Sequence, residues 1–382
     1  DLDFSELCEL ADGSVTEKLG QHAALNVGVS APALSALSPA ELRVSDKDFE
    51  AEFSNGVWMA KWKWIDDRPA PKLRNNVASY NIPDDARHAY EDEIDDWIRK
   101  GWLQPLSDHT GGLIPLMAII QRNKDKVRPV MDYRELNQFV SSHTADGEVC
   151  GIKLRAWRRL GENVSIIDLR KAYLQIHIHP SLWPCQVVEY KGQRYCLTRL
   201  GFGLSVAPKI MSAILSRVLS MNSRIRQGTD SYIDDIVVNN SIVSNDDVLS
   251  MLRKYGLESK PPEPLVGGRV LGLRVSRETD GLHWRRDNIV SHPSSAMTRR
   301  QLFSWCGQLV GHFPVAGWLR PACSYLKRIA GSGAWDAIID DNAARIATEV
   351  LRRVQLADPV HGRWIVSLYR KGTLWCDASS LA

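Results

Sequence analysis

The feature that most constrains the fold is a pair of adjacent acids between two short β-prone runs, Ser231-Tyr232-Ile233-Asp234-Asp235-Ile236-Val237-Val238. Such a segment reads as a tight hairpin with both carboxylates at its tip. Asp tolerates turn geometry, so an Asp-Asp pair in a turn is common by itself. A second segment, Val164-Ser165-Ile166-Ile167-Asp168, is an apolar strand that ends in an acid. Together they say more: on neighbouring strands, a strand end and a hairpin tip put three carboxylates in one place. Like charges that close raise one another's pKa unless a cation sits between them. Hard divalent ions suit oxygen ligands, and magnesium binds through few carboxylates plus substrate phosphates. Two such ions can activate an attacking hydroxyl and stabilise a leaving oxygen in phosphoryl transfer.

The rest of the chain bounds what can surround this cluster. A length of 382 residues suggests two to four domains. With 44% hydrophobic and 24% charged residues, it fits a globular protein with real cores. The longest strongly apolar stretch, Leu113 to Ile120, is too short to cross a bilayer as a helix, so no membrane association is expected. The chain opens at Asp1 without a basic start followed by an apolar core, so no secretory signal is expected. The missing initiator Met suggests that the chain was cut from something longer. The seven cysteines form no Cys-x-x-Cys pair, which argues against a disulfide framework or zinc ribbon and fits a reducing compartment.

Residues 1–56 are acidic, rich in Ala and Ser and low in aromatics, and read as a weakly ordered leader. Trp58, Trp62 and Trp64 cluster with Lys61 and Lys63; ordinary packing on a strand outweighs nucleic-acid stacking there. Ala86, Tyr90, Ile94, Trp97 and Ile98 recur at helical spacing before Gly101, which predicts a helix from Asp85 to Lys100. Strand-length apolar runs follow at Leu113 to Ile120, Val127 to Met131 and Val164 to Ile167, and Gln175 to His179 alternates as a strand does. Leu302, Trp305 and Leu309 mark one later helix, and Ile346, Val350, Leu351 and Val354 another. Strands and helices without strict alternation suggest an α+β multidomain chain. Its charge is uneven: residues 1–60 carry eleven acids against three bases, and residues 269–328 carry ten bases against three acids. A basic stretch is what a polyanion-binding surface needs, although a solvated charged face is the commoner explanation.

Tyr232-Ile233-Asp234-Asp235 resembles the signature of reverse transcriptases, above all those of LTR retrotransposons and retroviruses. The resemblance runs from about Arg68 to Ala382, with the family's motifs in order. Lys126-Val127-Arg128-Pro129-Val130-Met131-Asp132-Tyr133-Arg134-Glu135-Leu136-Asn137 resembles the fingers segment that grips the triphosphate. Asp168-Leu169-Arg170-Lys171-Ala172-Tyr173-Leu174-Gln175-Ile176 resembles the first catalytic motif. Leu200-Gly201-Phe202-Gly203-Leu204-Ser205-Val206-Ala207-Pro208 resembles the motif behind the nucleotide, with Gly201 where many relatives carry Pro. Tyr255-Gly256-Leu257 up to Lys260 resembles the next palm motif, and Val270-Leu271-Gly272-Leu273 the primer grip. Gly372 to Ser380 resembles the first strand of a ribonuclease H domain, with Asp377 as its first metal-binding carboxylate.

The resemblance implies a right-hand polymerase fold of fingers, palm and thumb. It divides the chain into a leader (1–56), linker and fingers (57–167), palm (168–275), thumb and connection (276–370) and a truncated ribonuclease H start (371–382). It implies that Asp168, Asp234 and Asp235, with the carbonyl of Leu169, hold two magnesium ions, manganese being the alternative. Arg128 would contact the triphosphate through its planar donors, with Arg122 assisting from the same loop. Arg134 would brace the fingers through a carboxylate. Tyr173 would lie beneath the sugar and reject a 2′-hydroxyl. Phe202 and Gly203 would line the nucleotide site, Lys260 would protonate the leaving pyrophosphate, and Leu271 and Gly272 would form the primer grip. His177 and His179 share a strand face without an evident third metal ligand, so a structural role is expected.

The implied partners are an RNA or DNA template–primer and deoxynucleoside triphosphates, with a dimer as a further option. The implied location is the cytoplasm, within retroelement particles, or the nucleus. Three other readings stand beside an active RNA-directed DNA polymerase: a degenerate copy that binds nucleic acid without polymerising, a non-enzymatic subunit of a dimer, and an RNA-dependent RNA polymerase, which Tyr173 disfavours.

Overall fold

The computed structural model describes residues 42–365 apart from 70–71, 107–110, 122–125, 142–148, 287–289, 291–295, 314, 332 and 357–360. Arg122 and Asp377 therefore lie outside the described residues. The described residues fall into two compact units, one drawn from 34–146 and 164–263, the other from 147–163 and 264–382.

In the first unit, Leu42–Ser45, Phe49–Ser54 and Val57–Trp62 form an antiparallel meander, and His177–Ile178 adds to its edge in parallel. This corrects the end of the expected leader: Leu42–Ser45 and Phe49–Ser54 are strands, not a weakly ordered segment. The reason is local. Apolar residues alternate through Phe49, Ala51 and Phe53, then Trp58, Ala60 and Trp62, and all of these are buried. Asn55 and Gly56, at φ 51° and 81°, close the hairpin with the two-residue turn whose twist suits flanking strands. Trp58 donates its ring N–H to the carbonyl of Tyr255 at 3.0 Å, so the tryptophan cluster serves packing.

Three strands of the same unit lie in the order Thr229–Tyr232, Asp235–Asn239, Val164–Asp168, antiparallel throughout. Behind them, helix Ala207–Leu219 buries Ile210, Met211, Ile214, Leu215 and Val218. Helix Asn245–Lys254 buries Val248 and Leu252 and is capped by Ser244, which accepts from the Asp247 amide at 3.1 Å. These side chains share one core with Ile167, Ile236 and Val238. Each fully buried aliphatic contributes roughly 1.5–3 kcal/mol, which fixes the sheet rigidly behind the acids. The helix expected at Asp85 to Lys100 forms as Asp84–Arg99. The strand expected at Gln175 to His179 does not form as such. Lys171, at φ 44°, turns the chain just past Asp168, and Ala172–Gln175 makes a 3-10 turn that buries Tyr173 and Leu174. Within that run, only His177–Ile178 pairs as a strand.

In the second unit, Arg269–Val270, Leu273–Glu278, Gly281–Arg285 and His361–Arg363 form an antiparallel sheet. Helices Arg299–Val310, Leu319–Ile329 and Asp341–Leu356 enclose a separate core around Leu302, Trp305, Leu309, Leu326 and Val350. Thr298 and Gln301 form a capping box at the first of these. The Arg158 guanidinium donates to the carbonyls of Arg363 and Trp364 at 2.6 and 2.7 Å. The strand that ends at Asp168 starts at Val164, and residues 147–163 and 264–275 group with the second unit. Among the described residues no helix is long and apolar enough to cross a membrane.

Candidate active site

Strand register brings the three acids together. Asp235 stands opposite Asp168 across the sheet and opposite Tyr232 within its own hairpin. Ile233 and Asp234 form the tip. Ile233 takes φ 57°, a left-handed value that costs a β-branched residue strain, and such strain collects at functional sites at about 1–3 kcal/mol. Burial pushes Asp235 up to about 7, with the charges of Asp234 and Asp168 adding to the effect. Asp234 is also raised, first by burial and then by Asp168, while Lys260 and Arg128 pull the other way. Lys260 forms an ion pair with Asp168 Oδ2, and its amide donates to the Asp168 carbonyl at 2.8 Å. Leu169 bridges to Ser259 beside it. A half-buried carboxylate trio with one ion-paired lysine is short of positive charge. Its all-oxygen donor set suits hard divalent ions such as magnesium.

The expected nucleotide-side residues gather around the same tip. The Tyr173 ring packs edge-on against Phe202, centroids 4.8 Å apart and planes at 78°. Burial and the neighbouring charge of Asp234 both raise its phenol. The Arg128 guanidinium lies 5.5 Å from the Phe202 ring centroid, in cation–π range. Phe202 itself is exposed. Gly203 takes φ 104°, and a Cβ there would stand 3.1 Å from the Met131 carbonyl oxygen, so backbone and pocket wall meet closely.

Two residues without an assigned role in the sequence hold this loop. The Asn137 amide donates to the Gly203 carbonyl at 3.0 Å and accepts from the Ser205 amide at 2.8 Å. Tyr133 is buried and donates to Gln186 Oε1 at 2.7 Å. Its phenol fills the space in which a Gly201 Cβ would stand, 1.9 Å away, so glycine there is matched to Tyr133. Both lie in the run after Lys126, but nothing in their spacing marked them. Arg134 pairs with Asp132 at 2.5 Å and donates to the Tyr80 hydroxyl at 2.7 Å, so it reaches a carboxylate of its own segment. His177 pairs with Met59 across strands, and His179 caps the turn by accepting from the Ser181 amide.

Leu271 and Gly272, at φ 47° and 80°, form the two-residue turn between Arg269–Val270 and Leu273–Glu278, in the second unit. The Arg286 guanidinium packs 3.7 Å from the Gly272 Cβ position and against Gly311. Arg286 is therefore a half-buried support rather than part of a solvated basic face, and burial lowers its pKa. Arg269, Arg274 and Arg285 are exposed and stand opposite one another on three successive strands.

A family model described as reverse transcriptase (RNA-dependent DNA polymerase) matches residues 120–260. Another, described as a domain of unknown function (DUF7047), matches residues 298–355. The retrovirus-related Pol polyprotein from transposon opus of Drosophila melanogaster is 26% identical over 164 residues, 42% of this chain and 16% of that protein. A foamy viral protease–reverse transcriptase solved in complex with double-stranded DNA matches with a TM-score of 0.53 and 20% identity, over 78% of this chain and 51% of that one. The chain thus spans half the viral chain and far less of the polyprotein. The structural likeness shows a polymerase-type multidomain fold of mixed helices and sheets.

Proposed function

We propose that the chain, whose residues 120–260 match a reverse transcriptase family model, is an RNA-directed DNA polymerase adding deoxynucleotides to a primer 3′ end on an RNA or DNA template. The observation that carries the proposal is the register of Asp168 against Asp235, with Asp234 at the adjoining tip and two of the three acids raised first by burial and then by their neighbours' charges. Asp168, Asp234, Asp235 and the Leu169 carbonyl are the proposed ligands of two magnesium ions, manganese being the alternative. When bound, the ions would supply charge to activate the primer hydroxyl and steady the leaving pyrophosphate.

The other roles belong to the chain's own side chains. Arg128 offers planar paired donors to triphosphate oxygens, and its place over Phe202 keeps it on the tip's side. Tyr173, wedged against Phe202, sets the floor under the sugar. Gly203 lets the backbone approach the substrate, and Asn137 holds that approach fixed. Lys260 is bound to Asp168 here and would yield its proton to pyrophosphate only once cations relieve that ion pair. In the second unit, the row Arg269, Arg274 and Arg285 is the proposed phosphate track for template–primer.

The test is extension of a DNA primer on an RNA template by the purified chain with magnesium and deoxynucleotides. Extension is expected. Template–primer binding without extension would replace the proposal with the non-catalytic reading.

A further inference from the structure

The second unit holds a cluster that the polymerase reading does not use. Glu278 ends one strand of its sheet, His283 lies on the next, and His361 lies on the strand beyond. One ligand atom from each of the three lies within 4.8 Å of the other two. The two imidazole rings stack at 5.2 Å with planes 29° apart. His361 Nε2 is 3.6 Å from Glu278 Oε1, and His283 Nδ1 is 3.8 Å from the other oxygen.

These separations are too long for hydrogen bonds. They are close to the edge of a tetrahedron of ligands about 2 Å from a central zinc, roughly 3.3 Å. His283 supplies an independent sign. It is 7% exposed, and its Nδ1 is buried without a hydrogen-bond partner. Its other nitrogen, Nε2, lies 2.7 Å from Asp280 Oδ1. With Nε2–H donating to Asp280, Nδ1 carries a free lone pair directed at the cluster. Asp280 is itself held by Arg363 at 2.7 Å. A carboxylate behind a histidine is the arrangement that fixes the tautomer of a metal ligand. Protonating both rings to pair with one glutamate would instead stack two cations face to face.

We propose that Glu278, His283 and His361 form a zinc site, with Asp280 orienting His283 and the fourth position open to water. Two imidazoles and one carboxylate suit zinc and disfavour magnesium or calcium, which take oxygen ligands. Zinc there would act as a tether. His361–Arg363 returns to this sheet only after three helices, and a metal shared between His361 and the hairpin closes that long loop.

The test uses the full chain, stripped by chelator and held in saturating magnesium so that the carboxylate trio does not compete. Zinc is titrated against a chromophoric chelator, and melting is followed with and without zinc. His361→Ala and Glu278→Gln change exposed side chains, which keeps folding intact. One zinc per chain is expected, bound at least about tenfold more weakly by each variant, with a zinc-dependent rise in Tm in the wild type alone. No stoichiometric zinc in the wild type, or equal affinity in wild type and both variants, would overturn the site.

Discussion

The two clusters of titratable groups, Asp168 with Asp234 and Asp235 in one unit and Glu278 with His283 and His361 in the other, hold charge in opposite ways. The first crowds three carboxylates at a strained hairpin tip and pushes two of them toward protonation. Without a cation that arrangement is costly. The second sets one carboxylate beside two imidazoles, one of them oriented by Asp280 through Nε2 while its Nδ1 has no hydrogen-bond partner. It carries no surplus of like charge. The proposed turnover site would store its cost at the reacting centre, while the proposed strand tether has no need to.

The sharpest way to separate them is sugar choice. Tyr173→Val removes the ring beside Phe202, and ribonucleotide incorporation should rise by about two orders of magnitude while deoxynucleotide incorporation falls only modestly. His361→Ala should leave both within about twofold. Single-nucleotide incorporation beside a melting curve checks this. Parallel loss of both activities with a lowered Tm in Tyr173→Val would make the ring a core residue only.

The second difference is in pH. Asp235 is raised in the folded state, so that state binds more protons than the unfolded one between about pH 4 and pH 7. Metal-free protein should therefore lose stability as pH rises through that window. Asp235→Asn removes the loss and should raise stability above pH 7 in chelator, by on the order of 1–3 kcal/mol. Added magnesium should reverse the order by stabilising the wild type. A metal-free wild type with no such decline would argue against crowding at the tip.

The smallest effect concerns the arginine row. Arg285→Ala should weaken binding to all template–primers alike and reduce the salt slope by about one contact. Arg286→Ala should instead lower Tm, because that guanidinium packs beneath the Leu271-Gly272 turn. Equal slopes for wild type and Arg285→Ala would return the row to a solvated face.

What the sequence revealed follows from the range of the interactions. The acids were legible because Asp168 closes an apolar run and Asp234 and Asp235 sit at the turn between two short β-prone runs, and period and turn residues are local signals. The seat of Arg286 was not legible because charge alone cannot tell a solvated guanidinium from one packed against two glycines distant in sequence. The strands at 42–54 were missed although the Asn55-Gly56 turn, flanked by alternating apolar residues, announced a hairpin; overall acidity outweighed it. Asn137 and Tyr133 were invisible as site residues because they act on a loop more than sixty residues on. The Glu278, His283 and His361 set was invisible too, since strand pairing alone brings His361 back to the hairpin.

The central claim is that Asp168, Asp234 and Asp235 perform nucleotidyl transfer. Its most direct test is single-turnover incorporation of one deoxynucleotide on an RNA template, by wild type and Asp235→Asn, across a magnesium titration. The account predicts magnesium-dependent incorporation by the wild type and a loss of about a thousandfold or more in the variant, worth several kcal/mol of transition-state stabilisation, with template–primer affinity largely unchanged. Incorporation by Asp235→Asn within about tenfold of the wild type would contradict it.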